Sequence, residues 1–357
     1  MTPSLSTEQT PVSSEATSDK SLRGCSHLYA AGGATDDRQD QIQRFVPLPH
    51  AADLLLMQRT IRLETNDVSL LNLALKFFER YQHGGSSKPQ FLWRLRCESD
   101  ARAQSTAVPF SAFCGASLRY VNIGQRGFLA VDLANRMGAG VFSDAFVRAD
   151  ARLRHRPPLD ILFCMTAASL GLTALSGGCV GSSSRAAMIF GPPNSGKTTS
   201  CYLAARAGLE FHGDQVVFLD MQEGRLSGWG DPFPAVFRPQ AVNFIPELLE
   251  SSHPSDYDDL SFYYFDKSAL QSQFAMPIEP LCSVFLDRVS SGKPRLDRIS
   301  SEQAAAKLRE NVLFEEDAEF DVQIMSSIGA LSLKPAYNLT YANDPNVAAE
   351  IIGKMLR

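Results

Sequence analysis

The stretch GPPNSGKTTS, Gly191 to Ser200, follows directly on the apolar run AAMIF and leads into TTSCYLAARAG, which has the composition of a helix. A glycine, four intervening residues and then Gly-Lys-Thr, set between an apolar strand and a helix, dictate a backbone that wraps an anion at a helix N-terminus. Gly191 lets the chain turn out of the strand, and Gly196 lets the backbone pass close to phosphate oxygens. The amides from Asn194 and Ser195 through Thr199 converge on one point. Lys197 is placed to bridge the terminal phosphates and Thr198 to offer its hydroxyl to Mg²⁺. Gly191, Asn194, Ser195, Gly196, Lys197, Thr198 and Thr199 are therefore the expected nucleotide-binding residues.

Length and composition set limits around this loop. A chain of 357 residues with 44% apolar content buries one large core or two smaller ones. The formal charge of -5, with no long basic block, argues against nucleic acid as an obligatory partner. Cys114, Cys164, Cys201 and Cys282 sit among apolar or small residues and read as reduced, partly buried thiols; no zinc site is expected. The opening MTPSLSTEQTPVSSEATSDK has no basic segment followed by an apolar one, so no secretory signal is read and a cytoplasmic location is expected. The longest apolar stretch, ILFCMTAASLGLTALSGGCVG, has a small, glycine-rich second half. It predicts a buried helix and turn, with no membrane span.

Residues 1–44 show no period and are expected to be a disordered tail. Residues 45–150 are expected to form a small α+β module. In it LLLMQRTIRLETN is one strand passing into a turn, DVSLLNLALKFFERYQ is a helix capped by Asp67 or Ser69, and FLWRLRCES, ASLRYVNI and GFLAVDL are short strands. Residues 151–357 carry the phosphate loop. There AAMIF, VVFLD and CSVFLDR predict strands, SSEQAAAKLRENVLF a helix with a Ser300–Gln303 capping box, GALSLKPAYNLTY strand, turn and strand, and NDPNVAAEIIGKML a closing helix capped by Asp344. Trp93 reads as core. Trp229, in SGWGDPF, reads either as a loop anchor or as an exposed aromatic for ligand.

A phosphate site also needs carboxylates for Mg²⁺ and for a base. Asp220 ends VVFLD and Asp287 ends SVFLD, each an apolar run closed by an acid. Asp214 instead opens a strand, in HGDQVVFL. Pattern alone favours Asp220, because a standard P-loop nucleoside triphosphatase holds its Mg²⁺-anchoring acid at a strand end.

The stretch Gly191–Asp220 resembles the kinase core of the HPr kinase/phosphorylase group, within the phosphoenolpyruvate-carboxykinase-like fold. In that family a short helix and a glycine follow the loop, and an aspartate pair then opens the next strand. Gly208 and Asp214 fall on those positions, eleven and seventeen residues after Lys197, and Gln215 stands in place of the second acid. GDPFPAVFRPQ, with Arg238 as its basic residue, FLDR at 285–288 and KPAYNLTY are similar to later segments of its divergent short members. The likeness spans roughly 160–357. It implies an α/β P-loop kinase core of the HPr kinase/PEP-carboxykinase-like type with a mixed sheet, preceded by the small α+β module. It also implies Asp214 as base or metal-side carboxylate, Arg238 as the charge on the transferring group, and a structural role for Asp220. The family's histidine before the loop strand is absent from GLTALSGG. His212, just before Asp214, is read either as a site residue or as an ordinary structural histidine.

The leading functional expectation is ATP-dependent phosphoryl transfer, with ATP and Mg²⁺ as cofactors and catalysis by Asp214, Lys197 and Arg238, Thr198 and Asp214 facing the metal. The acceptor is a hydroxyl on a protein, a peptide or a small molecule. The alternative is a nucleotide-binding regulatory or scaffold protein without transferase activity, which Gln215 and the missing histidine favour. A conventional ATPase or GTPase built on Asp220 is the third reading; no Asn-Lys-x-Asp base-recognition motif supports it. A homo-oligomer is left open.

Overall fold

In the computed structural model the described residues are 47–79, 88–98, 111–114, 117–122, 127–148, 158–182, 184–231, 235–251, 253–257, 260–265, 277–314 and 318–356. By its contacts the chain divides into Met1–Phe45 and Val46–Arg357, and every described residue belongs to the second unit. The expected tail at 1–44 and the boundary at 150 lie outside the described residues.

The first half builds a seven-stranded sheet from β1 (His50–Leu56), β2 (Arg59–Thr65), β3 (Phe91–Glu98), β4 (Ser111–Cys114), β5 (Leu118–Asn122), β6 (Gly127–Asp132) and β7 (Met137–Ser143), in the order β1-β2-β3-β7-β6-β5-β4. The β2–β3 and β3–β7 pairs are parallel and the others antiparallel. The expected single strand LLLMQRTIRLETN is in fact the turn and both arms of a hairpin. Met57 and Gln58 reverse the chain at φ 49° and 64°. No glycine or asparagine marks this turn. Met57 holds it by burying its side chain in the core, where only 1% is exposed. Helix α1 (Val68–Phe77) starts as predicted. The Asp67 carboxylate accepts from Ser69 N and Leu70 N, and Leu70 and Ala74 turn inward. Trp93 is core, and its indole N–H donates to Thr166 Oγ1 at 3.1 Å.

After α2 (Asp144–Arg148), α3 (Pro158–Thr166) and a 3-10 turn at Ala167–Leu170, the chain forms β8 (Leu172–Ser176) and β9 (Gly178–Ser182), where a turn was expected. Gly171, at φ 77°, ends the helical run. Glycines let β9 lie tight: a Cβ at Gly178 would stand 2.8 Å from Cys201 Sγ. Then come β10 (Arg185–Phe190), α4 (Lys197–Arg206), β11 (Glu210–Gly213), β12 (Val216–Gln222), β13 (Arg225–Gly230) and β14 (Ala235–Phe237). The remainder comprises α5 (Leu248–Ser251), β15 (His253–Tyr257), β16 (Leu260–Phe265), β17 (Glu279–Arg288), β18 (Arg295–Arg298), α6 (Ser301–Arg309), α7 (Ala318–Ser332), β19 (Ala336–Tyr341) and α8 (Pro345–Leu356).

These strands form a six-stranded sheet, β11-β9-β10-β17-β19-β18, and two three-stranded sheets, β13-β12-β8 and β14-β16-β15. The six-stranded sheet is mixed: β10–β17 and β17–β19 are parallel, and its other pairs are antiparallel. The molecule is thus an α/β fold with mixed sheets. Strand β10 explains the unbroken run AAMIF. Ala187 and Ile189 face a core with residues of α4 and α8, while Ala186, Met188 and Phe190 face a second core with residues of α6, α7 and β12. A strand covered on both faces needs apolar side chains at every position. Strand β12 alternates likewise, and through Val216 and Phe218, with Trp229 of β13, it joins the core of the seven-stranded sheet.

One further reading is corrected, and one left open is decided. GALS is the end of helix α7, because Ile324, Ile328 and Leu331 recur at helical spacing and are all buried. Trp229 is 1% exposed and contributes to the core, so it offers no face to a ligand. The capping box at Ser300 and Gln303 and the Asp344 cap are present. No described helix is long and apolar enough to cross a membrane.

Candidate functional site

The loop Gly191–Gly196 leaves β10 at its C-terminal end, where the parallel strands β17 and β19 also end. Ligands gather outside the carboxyl ends of parallel strands, because the chain leaving each strand is free there to build loops. Gly191 turns out of the strand at φ 144°, and a Cβ on it would lie 2.7 Å from both Leu286 O and Ser195 Oγ. Asn194 and Gly196 are left-handed, at φ 69° and 87°. A Cβ at Gly196 would collide with the Tyr341 hydroxyl. That hydroxyl donates to Ser195 O at 2.5 Å and braces the loop from β19. The first helical bond of α4 runs from Ser200 N to Gly196 O at 2.8 Å, so the amides before it face out of the helix end. Lys197 folds back over the loop and donates to Gly191 O at 2.8 Å and Pro192 O at 3.1 Å. Burial pushes its ammonium pKa down, against the pull of Cys201 and Asp214.

This loop opens on a cavity of about 830 Å³. Asn194, Gly196, Lys197, Thr198 and Thr199 line one side, and Asp214 and Gln215 line it from the link between β11 and β12. Arg238 reaches it from the end of β14, and Arg288 and Tyr341 from the ends of β17 and β19. Ile161, Cys164, Leu313 and Phe314 add apolar surface to its wall, with Asp160 beside Ile161. The chain therefore brings Lys197, Thr198, Asp214 and Arg238 to one cavity. Gly191 and Ser195 shape the loop from behind it.

Asp220 and His212 are not among the described lining residues. The Asp220 carboxylate is buried in a two-pronged ion pair with Arg59 and accepts from Gln222 Nε2 at 2.9 Å. His212 is buried, its Nε2 lies 3.7 Å from Glu210 Oε2, and burial pulls its pKa down to about 4. It is a neutral imidazole at neutral pH. Asp287 is exposed at the end of β17.

Three residues went unnoticed in the sequence. Arg288 and Tyr341 carried a legible signal: each closes an apolar strand parallel to β10, and so ends beside the loop. Asp231 stood within GDPFPAVFRPQ, where Arg238 was the residue singled out. The importance of Asp231 depends on contacts with the backbone at Asp214, 17 residues away.

Asp67, Cys97 and Asp144 also approach one another, with ligand atoms within 4.8 Å. They lie just before α1, in β3 and at the start of α2. Asp67 caps α1, Asp144 holds Arg148 at 2.5 Å, and the Cys97 thiol is pushed up to about 11 by burial and by both carboxylates. This group is an ion-paired helix cap and carries no argument for metal chemistry.

No protein-family profile matches the chain, and no curated protein is similar to it in sequence. Among solved structures, the HPr(Ser) kinase/phosphatase from Coxiella burnetii is 11% identical over 51% of this chain and 94% of that one, with a TM-score of 0.26. So distant a likeness carries no argument. The α/β class and the mixed sheets rest on the strand order itself.

Proposed function

We infer that the chain is an ATP-dependent kinase that phosphorylates a hydroxyl group. The observation that supports this most is the meeting of the phosphate loop, Asp214 and Arg238 on one cavity. The loop fits a polyphosphate: left-handed Asn194 and Gly196, with helix-end amides, form an anion cradle already shaped by Tyr341. ATP is the phosphoryl donor, and Mg²⁺ when bound neutralises charge on its phosphates. Thr198 and Asp214 are the residues of this chain that would hold the metal. Lys197 leaves its carbonyl partners for the phosphates. Asp214 takes the proton of the acceptor hydroxyl as the new O–P bond forms and the bond to the leaving ADP oxygen breaks. Arg238 stabilises the charge that spreads over the transferring group. The apolar surface at Ile161, Leu313 and Phe314 suits the body of a small acceptor or one side chain of a peptide, and the whole cavity, about 830 Å³, lies within the usual range of about 300–1,000 Å³ for ligand pockets.

A second reading is a nucleotide-binding regulatory protein without transfer, favoured by Gln215, an amide on the cavity wall beside Asp214. Labelled ATP, offered with a metabolite and peptide pool, separates the two. Transfer in the wild type, lost in Asp214→Asn and kept per folded molecule in Asp220→Asn, supports the kinase. Nucleotide binding that is lost in Lys197→Ala, with no transfer by the wild type, supports the regulatory reading. Transfer or hydrolysis that survives Asp214→Asn sinks the assignment of Asp214.

A further inference from the structure

We propose that Asp231 is the positioning residue of the Asp214 turn, setting the carboxylate of Asp214 against the phosphate loop. The proposal rests on the kinase reading for its functional consequence, though its geometry stands apart from it.

The turn is a place where the fold gives little support of its own. Strand β11 ends at Gly213 in the six-stranded sheet, and β12 begins at Val216 in a three-stranded one. Asp214 and Gln215 thus carry the chain from one sheet to another, and their amides leave both ladders. One carboxylate oxygen answers them. Asp231 Oδ2 accepts from Asp214 N at 3.1 Å, Gln215 N at 2.8 Å and Val216 N at 3.0 Å. Hydrogen bonds to an ionised acceptor are about twice as strong as neutral ones. Asp231 is fully buried, so little water competes for that oxygen. From the other side Gly177 N donates to Gln215 O at 3.1 Å, and Gly177 is itself the link between β8 and β9.

The approach is too close for side chains. A Cβ at Gly230 would strike His212 O and stand 3.0 Å from Gly213 N, and a Cβ at Gly213 would stand 2.7 Å from Asp231 N. With β13 paired to β12 through Gly230 and Val217, Asp231 is delivered directly onto the turn. Asp231 is not among the described cavity-lining residues, so it acts through Asp214 and not on a ligand.

Two readouts test this on the full chain. Hydrogen–deuterium exchange compares wild type with Asp231→Ala and Asp231→Asn. Binding of the non-hydrolysable nucleotide AMP-PNP is measured by calorimetry with and without Mg²⁺. Asp231→Ala is expected to speed exchange at the peptide holding residues 214–216, with the α4 and β19 peptides unchanged. It is expected to keep metal-free AMP-PNP affinity while losing about tenfold of the Mg²⁺-dependent gain. Asp214→Asn is expected to lose the same gain, and the double variant no more than either. Asp231→Asn keeps an acceptor oxygen at the same reach but gives up its charge, and is expected to show both effects in weaker form; it supplies the exchange measurement if the alanine variant misfolds. Unchanged exchange at 214–216 in both variants, exchange raised throughout the chain in both, or a gain that survives in both overturns the proposal. A gain untouched by Asp214→Asn, with faster local exchange in the Asp231 variants, instead overturns the metal role of Asp214 and leaves Asp231 as the holder of its turn.

Discussion

The guanidinium of Arg59 and the carboxylate of Asp220 meet in a buried two-pronged ion pair, Nη1 to Oδ2 at 2.7 Å and Nη2 to Oδ1 at 2.8 Å. Arg59 also donates to Leu170 O at 3.0 Å and Met57 O at 2.9 Å, so one side chain ties the β1–β2 hairpin, the helix end before β8 and the strand β12. A carboxylate satisfied this fully within the protein is not free to hold a metal. Arg59→Met, which leaves Asp220 charged and buried, is expected to lower stability by about 3–5 kcal/mol. The double replacement Arg59→Met with Asp220→Leu should recover much of that loss. Urea unfolding measures both, and AMP-PNP affinity of the folded fraction should not change. A cost for the double replacement as large as for the single one would show that packing, and not the orphaned charge, dominates.

Tyr341 braces the loop Gly191–Gly196 through a single hydroxyl, donated to Ser195 O at 2.5 Å. Tyr341→Phe removes that bond with little change in packing and should cost about 1 kcal/mol of stability. Because the loop is then less firmly shaped, AMP-PNP affinity should fall several-fold. Isothermal calorimetry checks this, and a wild-type affinity in the variant would mean that the loop keeps its shape without the brace.

Two glycines are expected to respond in opposite directions to alanine. At Gly230 a Cβ would strike the carbonyl of His212, so Gly230→Ala forces β13 away from the Gly213 turn and should destabilise by more than about 2 kcal/mol. At Gly329, inside α7, a Cβ would meet nothing within 4 Å. There Gly329→Ala should stabilise by about 0.5–1 kcal/mol, through the lost freedom of the unfolded chain. Thermal melts of the two variants against wild type decide both signs.

His212 gives the fold an acid-sensitive point. Its pKa is pulled from about 6.5 down to about 4 by burial, so the unfolded chain takes up a proton before the folded one does. Stability from this group is complete above about pH 6.5 and is lost as pH falls toward 4, with a total on the order of 3 kcal/mol. Denaturant unfolding between pH 7 and pH 4.5 should be less steeply pH-dependent in His212→Leu than in wild type. Equal slopes in the two proteins would show that the imidazole is protonated without cost.

What the sequence determined by itself is local. Gly191 to Thr199 declared a tight turn from a strand into a helix, because the glycine spacing, the lysine and the strand and helix around it act within ten residues. The caps at Ser300 and Asp344 were equally plain, and that of α1 was narrowed to Asp67 or Ser69, since each cap is a side chain bonded to amides two or three residues away. Tertiary structure decided the rest. The hairpin at Met57 and Gln58 carries no turn residues; burial of Met57 holds it. GALS has enough β character for a strand, and only the buried row Ile324, Ile328, Leu331 makes it helix. Pattern alone ranked Asp220 above Asp214. The structure sets Asp214 against the cavity and gives Asp220 to Arg59, a residue 161 positions away. Asp231 stood within GDPFPAVFRPQ with nothing there to mark its role. Hydrogen bonds to backbone amides recognise no side chain, so the contact that holds the turn exists only once two distant strands have packed together.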